Sequence, residues 1–244
     1  MDQKFKMPTE TVELPSKGYL YSKESPLSSG TIEMKYMTAK EEDILTNQNY
    51  IKNGTVIDKL LQSLIVTEGI DYSDLLVGDK NAIMIAARIL SYGAEYEFEY
   101  NGEKQTVDLS QFDNKELDPR IKEGVENNFS FTLPHTKNEI TFKLLTHGDE
   151  RKIDKELEGL KKLRKDDSPE VTTRLKHMIT SVNGLVDSAD IRQFVDQYLL
   201  ARDARALREE YSKLQPDINL KFYPGDVEEG IDLPIGLNFF WPDA

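Results

Sequence analysis

The sequence predicts an α+β protein: a helical body with small antiparallel β hairpins, one of them C-terminal, and an extended N-terminal arm. Three observations carry that reading. In several separate stretches apolar residues recur at three- and four-residue spacing, as in Ile57, Leu60, Leu61 and Leu64, the pattern of a helix with one buried face. In others they alternate, as in Tyr96, Phe98 and Tyr100 before Asn101-Gly102, which is strand periodicity followed by a tight-hairpin signal. The C-terminal stretch alternates as well, through Ile231, Leu233, Ile235, Leu237 and Phe239.

Taken in order, the chain divides into five stretches. Residues 1–36 read as the arm. Val12 and Leu14 alternate, Pro15-Ser16-Lys17-Gly18 makes a turn, Tyr19 and Tyr21 alternate around Leu20, and Ser28-Ser29-Gly30 turns again before a strand from Thr31 to Tyr36. Residues 37–92 read as helical. Thr38-Ala39-Lys40-Glu41 has the form of a capping box and opens a helix to about Asn49. Asn53-Gly54 breaks the chain and Thr55 caps a second helix; Gly78-Asp79 opens a third, to Ser91, whose Ile83, Ala86, Ala87 and Leu90 predict core.

Residues 93–147 change to β structure. The hairpin about Asn101-Gly102 is followed by a polar link, Asp113 to Asn128, and by a second pair, Phe129-Phe131-Leu133 against Ile140-Phe142-Leu144. Residues 148–214 are helical again. Ile153, Leu157, Leu160 and Leu163 make the seam of one helix, Ser168-Pro169-Glu170 starts another that runs to Val182, and Ser188 caps one last helix with a seam from Ile191 to Leu214 that favours core over a coiled-coil face. Residues 215–244 form the C-terminal hairpin, in which Ile218-Leu220-Phe222 pairs with the terminal strand across Pro224-Gly225-Asp226. In such a strand Phe239 faces the buried side and Phe240 the opposite side, leaving a large aromatic to cover a second surface.

Composition removes several function classes. The 244 residues suffice for a sizeable core, and 38% hydrophobic with 31% charged residues is globular in character. A net charge of −13 repels phosphate backbones, so nucleic acid is not an expected partner. The absence of cysteine excludes disulfides, thiolate zinc sites, Fe–S clusters and thiol nucleophiles. Met1-Asp2-Gln3-Lys4-Phe5-Lys6 lacks the apolar run of a signal peptide and no segment approaches a membrane span, so cytosolic synthesis without membrane contact is expected.

Patterns that carry chemistry are scarce. His135, His147 and His177 lie far apart and form no metal-ligand spacing, and neither a glycine-rich phosphate loop nor a serine-nucleophile motif occurs. The neighbouring acids Glu41-Glu42-Asp43 and Asp166-Asp167 point about 100° apart on a helix, so they do not face one another for acid–base work. Lys161-Lys162-Leu163-Arg164-Lys165 suits the negative end of a helix dipole. Neither an enzyme nor a cofactor is expected, and no catalytic, cofactor-binding or metal-binding residue is assigned.

Two stretches at opposite ends nevertheless resemble one family. The first is Leu14-Pro15-Ser16-Lys17-Gly18-Tyr19-Leu20-Tyr21 with Gly30-Thr31-Ile32-Glu33-Met34 and Met37-Thr38-Ala39-Lys40-Glu41-Glu42-Asp43-Ile44-Leu45; the second is Leu233-Pro234 with Phe239-Phe240-Trp241-Pro242. Together they resemble the baseplate hub proteins of T4-like contractile-tailed phages, the T4 base plate protein family. The resemblance runs through the chain and is most specific at its ends. It implies a non-enzymatic phage tail protein that builds or forms the baseplate hub by protein–protein contacts, as a hub subunit or as a tail and baseplate assembly chaperone. Implied partners are other tail and baseplate hub proteins, the tape-measure protein among them, and further copies of itself. The implied locations are the host cytoplasm during assembly and the virion tail baseplate.

The candidate partner-binding residues are Phe239, Phe240, Trp241 and Pro242 at one end, and Pro15, Lys17, Gly18, Tyr19 and Tyr21 at the other. The family pattern often places Cys pairs in two β hairpins, as in zinc ribbons. The corresponding turns here, Tyr100-Asn101-Gly102-Glu103 and Phe222-Tyr223-Pro224-Gly225, hold no ligand, so zinc dependence does not carry over. The alternative is an acidic regulatory protein that binds host or phage machinery, polymerase for example; a mimic of nucleic-acid charge would line its acids along one face, whereas here the acids are interleaved with lysines on most predicted helices.

Overall fold

The computed structural model describes residues 7–163, 169–223 and 230–240. Among these it is α+β, with eight α-helices and four small antiparallel sheets, one of them the C-terminal hairpin. The N-terminal arm is a hairpin folded onto the body. β1 (Thr9–Glu13) pairs with β2 (Thr31–Lys35), with Thr11 opposite Glu33. Residues 15–20 between them are turns rather than an alternating segment. Lys17 and Gly18 take positive φ of 52° and 76°, and a Cβ on Gly18 would lie 2.5 Å from the Ser28 carbonyl oxygen.

α1 (Ala39–Leu45) starts with the capping box, the Glu41 carboxylate accepting from the Thr38 amide at 3.0 Å. It stops at Leu45 instead of Asn49, because Asn47 caps a separate α2 (Gln48–Lys52) by accepting from the amides of Asn49 and Tyr50. α3 (Val56–Leu64) and α4 (Val77–Tyr92) bury the faces their spacing predicts, including Leu60, Leu61, Leu64, Ile83 and Ala87. β3 (Glu95–Tyr100) and β4 (Glu103–Asp108) then form the expected hairpin, with positive φ at Asn101 and Gly102.

The second half departs from expectation in two places. β5 (Phe129–Thr132), β6 (Glu139–Phe142) and α5 (His147–Leu163) appear where periodicity puts them. α6 (Glu170–Met178), however, gives way to β7 (Ile179–Val182), which adds to β6 as a third strand where helix was expected to Val182. β-branched residues suit this pleated edge, and the Thr141 hydroxyl bonds those of Thr180 and Ser181 at 2.7 Å. Pro169 occupies the N-cap of α6; the expected cap, Ser168, lies outside the described residues, as do Arg164 and Lys165 of the basic run.

The last helix is two, α7 (Ser188–Gln197) and α8 (Ala201–Leu214), and the cap of α7 is Asp187 rather than Ser188. Asp203 explains the break. Its buried carboxylate accepts from the amides of His135 and Thr136 and from the Thr136 hydroxyl, which pins the first turn of α8 to the β5–β6 connection. Tyr198, expected in the seam, is left exposed at the joint. The C-terminal hairpin is short: β8 (Lys221–Phe222) pairs with β9 (Ile231–Asp232), while the turn Pro224-Gly225-Asp226 lies outside the described residues. The long terminal strand does not form. Pro234 has no N–H for a ladder, and Leu237–Phe240 wind into a 3-10 turn.

Two hydrophobic cores result. The first gathers the arm, α1, α3, α4, the β3–β4 hairpin and the C-terminal Leu233, Phe239 and Phe240. The second lies between the three-stranded sheet and α5 to α8, around Leu133, Phe142, Ile153 and Leu207. They are joined by the stretch leading into α4. His147 N–H donates to the Leu75 carbonyl at 2.7 Å and Val77 N–H to that of Leu145 at 3.2 Å. Gly78 lies so close to Pro216 that a Cβ would stand 1.7 Å from its carbonyl oxygen. Beside it the fully buried Asp79 accepts from Ser16 N–H at 2.9 Å, Ser16 Oγ at 2.7 Å and the Tyr21 hydroxyl at 2.6 Å. Burial raises the Asp79 pKa, and the bonds from Tyr21 and Ser16 pull against it. The Tyr21 ring packs against both cores, and its oxygen accepts from the Leu76 amide at 2.9 Å.

Substituting Gly78→Ala is expected to cost about 3 kcal/mol or more, because a methyl group has no room against the Pro216 backbone. Gly159→Ala, in α5 with open space around its Cα, is expected to gain about 0.5–1 kcal/mol. Urea unfolding followed by circular dichroism reads both. Among the described residues the buried Thr173 hydroxyl has no hydrogen-bond partner, so Thr173→Val is expected to be neutral or stabilising by about 1 kcal/mol in the same assay.

Candidate functional site

A cleft of 770 Å³ opens where the two cores meet, between α3 and α4 on one side and α5, α6 and α8 on the other. Ile57, Met84, Leu145, Leu175, Met178 and Tyr211 supply apolar lining, and charged side chains stand among them. Its size is that of a ligand or side-chain pocket.

One wall is a knot of ionisable groups from three helices and the turn before α4. Asp58 on α3 accepts from Lys80 Nζ at 2.9 Å and from the Tyr72 hydroxyl at 3.3 Å, both through Oδ1. Its Oδ2 lies 3.3 Å from His147 Nε2 and 3.9 Å from Arg151. Lys80 Nζ, which can only donate, also lies 3.2 Å from His147 Nδ1. The geometry therefore makes Nδ1 the acceptor and leaves the ring proton on Nε2, facing Asp58. The Tyr72 ring meets the His147 ring edge-on at 4.7 Å. Burial alone would raise the Asp58 pKa, but the bonds from His147 and Lys80, with the Lys80 charge, more than reverse this and hold it well below the usual carboxylate range. Burial, and then the Asp58 charge, push the Tyr72 hydroxyl well above its ordinary value.

Both Asp58 oxygens and both His147 nitrogens are occupied inside the knot. What it does is lock α3, α4 and α5 together and fix the shape of the cleft. On the opposite wall Arg174 grips Glu150 bidentately at 2.6 and 2.8 Å. Among the described residues no group of three His, Cys, Asp or Glu side chains could hold a metal ion, and no helix is long and apolar enough to cross a membrane.

None of the sequence-derived partner-binding residues that the structure describes lines this cleft. Pro15 and Gly18 are buried in the turn, Lys17 is exposed, Tyr19 is half-buried, and Tyr21 is half-buried with its hydroxyl on Asp79. Phe239 and Phe240 are both 0% exposed, edge-to-face at 5.2 Å, with Phe239 also 4.8 Å from the Tyr96 ring. The expectation that Phe240 faces outward is thus corrected. In a 3-10 turn successive side chains are about 120° apart instead of 180°, and here both enter the core. Trp241 and Pro242 lie outside the described residues. The structure does bring the two end stretches into one core. The cleft residues Asp58, Lys80 and His147 carry no signal in the sequence, being 22 and 67 positions apart as pairs. Comparison with protein-family models, curated proteins and solved structures found no match.

Asp58→Asn is expected to lower stability by about 2 kcal/mol at pH 7, since it leaves Lys80 without its carboxylate in a mostly buried site. The folded pKa of Asp58 is depressed, so its contribution is complete above the unfolded value of about 4 and is lost as pH falls below it. The gap between wild type and variant in urea titrations should narrow steadily on going from pH 5 to lower pH.

Proposed function

We propose that this chain is a non-enzymatic phage tail protein that builds or forms the baseplate hub through protein–protein contacts, as a hub subunit or as a tail and baseplate assembly chaperone. The observation that carries the reading is the resemblance of its two ends to the T4 base plate protein family. The packing supplies a physical reason for those ends to occur as a pair. Leu14, Ile32, Met34 and Leu45 from one, and Leu233, Phe239 and Phe240 from the other, close the same core. Apolar surface is available for contacts elsewhere, at Leu185 and Val186 after β7 and at Tyr198 and Leu200 between α7 and α8. The proposed partners are other tail and hub proteins, the tape-measure protein among them, and further copies of the chain. The proposed locations are the host cytoplasm during assembly and the tail baseplate.

A second reading, an acidic regulatory protein docking on host or phage machinery, is favoured by one surface. The outer face of the β3–β4 hairpin aligns exposed Glu95, Glu97 and Glu99, with Asp108 across from Glu95 and only Lys104 as a cation in that register.

Mass spectrometry of purified virions beside the infected-cell lysate tests the first reading. A fixed ratio to other baseplate proteins in virions identifies a hub subunit; presence only in lysate, on tail precursors, identifies an assembly chaperone. Absence from both, with capture of host polymerase from the lysate, would replace the first reading with the second.

A further inference from the structure

We infer that the outer edge of β1 is a strand-docking site for an extended, basic protein segment with alternating apolar side chains. The inference deepens the reading above by naming a contact surface and the chemistry of the partner.

The hairpin register decides which backbone groups are free. Leu14 N–H bonds the Gly30 carbonyl and Tyr36 N–H bonds that of Pro8, so the even-numbered residues of β1 face β2. The N–H and C=O groups of Thr9, Thr11 and Glu13 therefore point away from β2. The far edge of β2 is already covered, since Val66 N–H donates to the Glu33 carbonyl and Glu33 N–H to the Thr67 hydroxyl. Among the described residues nothing but β2 pairs with β1. An open edge of this kind is a template for an added strand.

Directly beside that edge lies an apolar groove of 350 Å³, where Ala86, Ile89 and Leu90 of α4 meet Val12 and Tyr36. All five are half-buried rather than buried. A strand added to β1 would continue the inward face of the hairpin, so alternate side chains would rest on Ile89 and Leu90. The opposite face sets the charge. Glu13 and Glu33 project there and Glu10 stands at the groove, whereas Lys35, the only cation of the two strands, is held by Glu41 at 2.7 Å. A second copy of β1 would bring its own Glu10 and Glu13 to this edge. A segment with lysine or arginine at outward positions is complementary instead.

The test uses the isotope-labelled full chain and the peptide acetyl-Lys-Val-Lys-Leu-Lys-Val-Lys-amide, with a peptide carrying Glu in place of Lys as the control. The expected result is slowed exchange at the Thr9, Thr11 and Glu13 amides. Binding of the basic peptide should be at least about ten-fold tighter than that of the acidic one, and it should weaken with salt. Thr11→Pro removes an outward N–H without touching the β1–β2 ladder and should abolish binding. Leu90→Lys, on the half-exposed face of α4, should weaken it by about ten-fold while the circular dichroism spectrum stays that of the wild type. Unchanged β1 amides, equal binding of both peptides, or undiminished binding to both variants would overturn the proposal. So would concentration-dependent dimerisation of the wild type that Thr11→Pro abolishes, since the occupant would then be a second copy. None of these outcomes bears on whether the chain is found in virions, so the hub reading stands or falls separately.

Discussion

The Asp79 carboxylate holds the architecture at its most demanding point. It sits in the first turn of α4, where the helix dipole favours a negative charge, and it is sealed from water. A charge in that position persists only with donors around it, and Ser16 and Tyr21 are those donors. The satisfied carboxylate therefore fixes the turn at residues 15–20. That turn sets the register of β1 on β2, and Tyr21 wedges between the two cores. A single buried polar group thus couples the arm, the central helix and the joint of the molecule, which is a high-stakes arrangement in a low dielectric.

Around that joint, acidity is managed by pairing more than by exposure. Glu156 on α5 is gripped by Arg192 of α7 at 2.7 and 2.8 Å and bonds His177 of α6 at 3.0 Å, and Arg192 with His177 brings its pKa down to about 2. Arg174 of α6 likewise grips Glu150 of α5 through two hydrogen bonds. Each such half-exposed pair adds little stability by itself. Together they fix how α5, α6 and α7 lie against one another, and with the Asp58 knot they give the cleft rigid walls. The surface features left among the described residues are a shaped cleft, a strand edge unpaired beyond β2 and scattered exposed apolar side chains.

Elements whose signal is local were legible in the sequence. The Asn101-Gly102 hairpin, the capping box at Thr38 and the long apolar face of α4 each depend on residues within a few positions of one another. What escaped depends on distant partners. β7 reads as the tail of a helix until β6 is there to pair with it, and the α7–α8 break follows from Asp203 reaching the β5–β6 turn. The terminal alternation from Ile231 to Phe239 promised a strand, yet Pro234 and the lack of a longer partner gave a 3-10 turn. The end motifs were visible, but their role in the fold was not. Pro15, Gly18 and Tyr21 belong to the Asp79 site, and Phe239 and Phe240 to the core. The cleft was invisible, because its ion knot joins residues that only the packing of three helices makes neighbours.

The first core spans nearly the whole chain, from Leu14 to Phe240. During translation this means the arm, α3 and α4 leave the ribosome with part of their apolar surface uncovered. They wait for residue 240 to be made, on the order of tens of seconds at ordinary elongation rates. Among the described residues the second core takes nothing from the C-terminal stretch and is closed by residues up to Leu214. Maturation would then run against the direction of synthesis, with the half made later finishing first. A ribosome that stalls shortly before Phe239 would release a chain whose second half is sound and whose first half displays an unsealed core to proteases and chaperones.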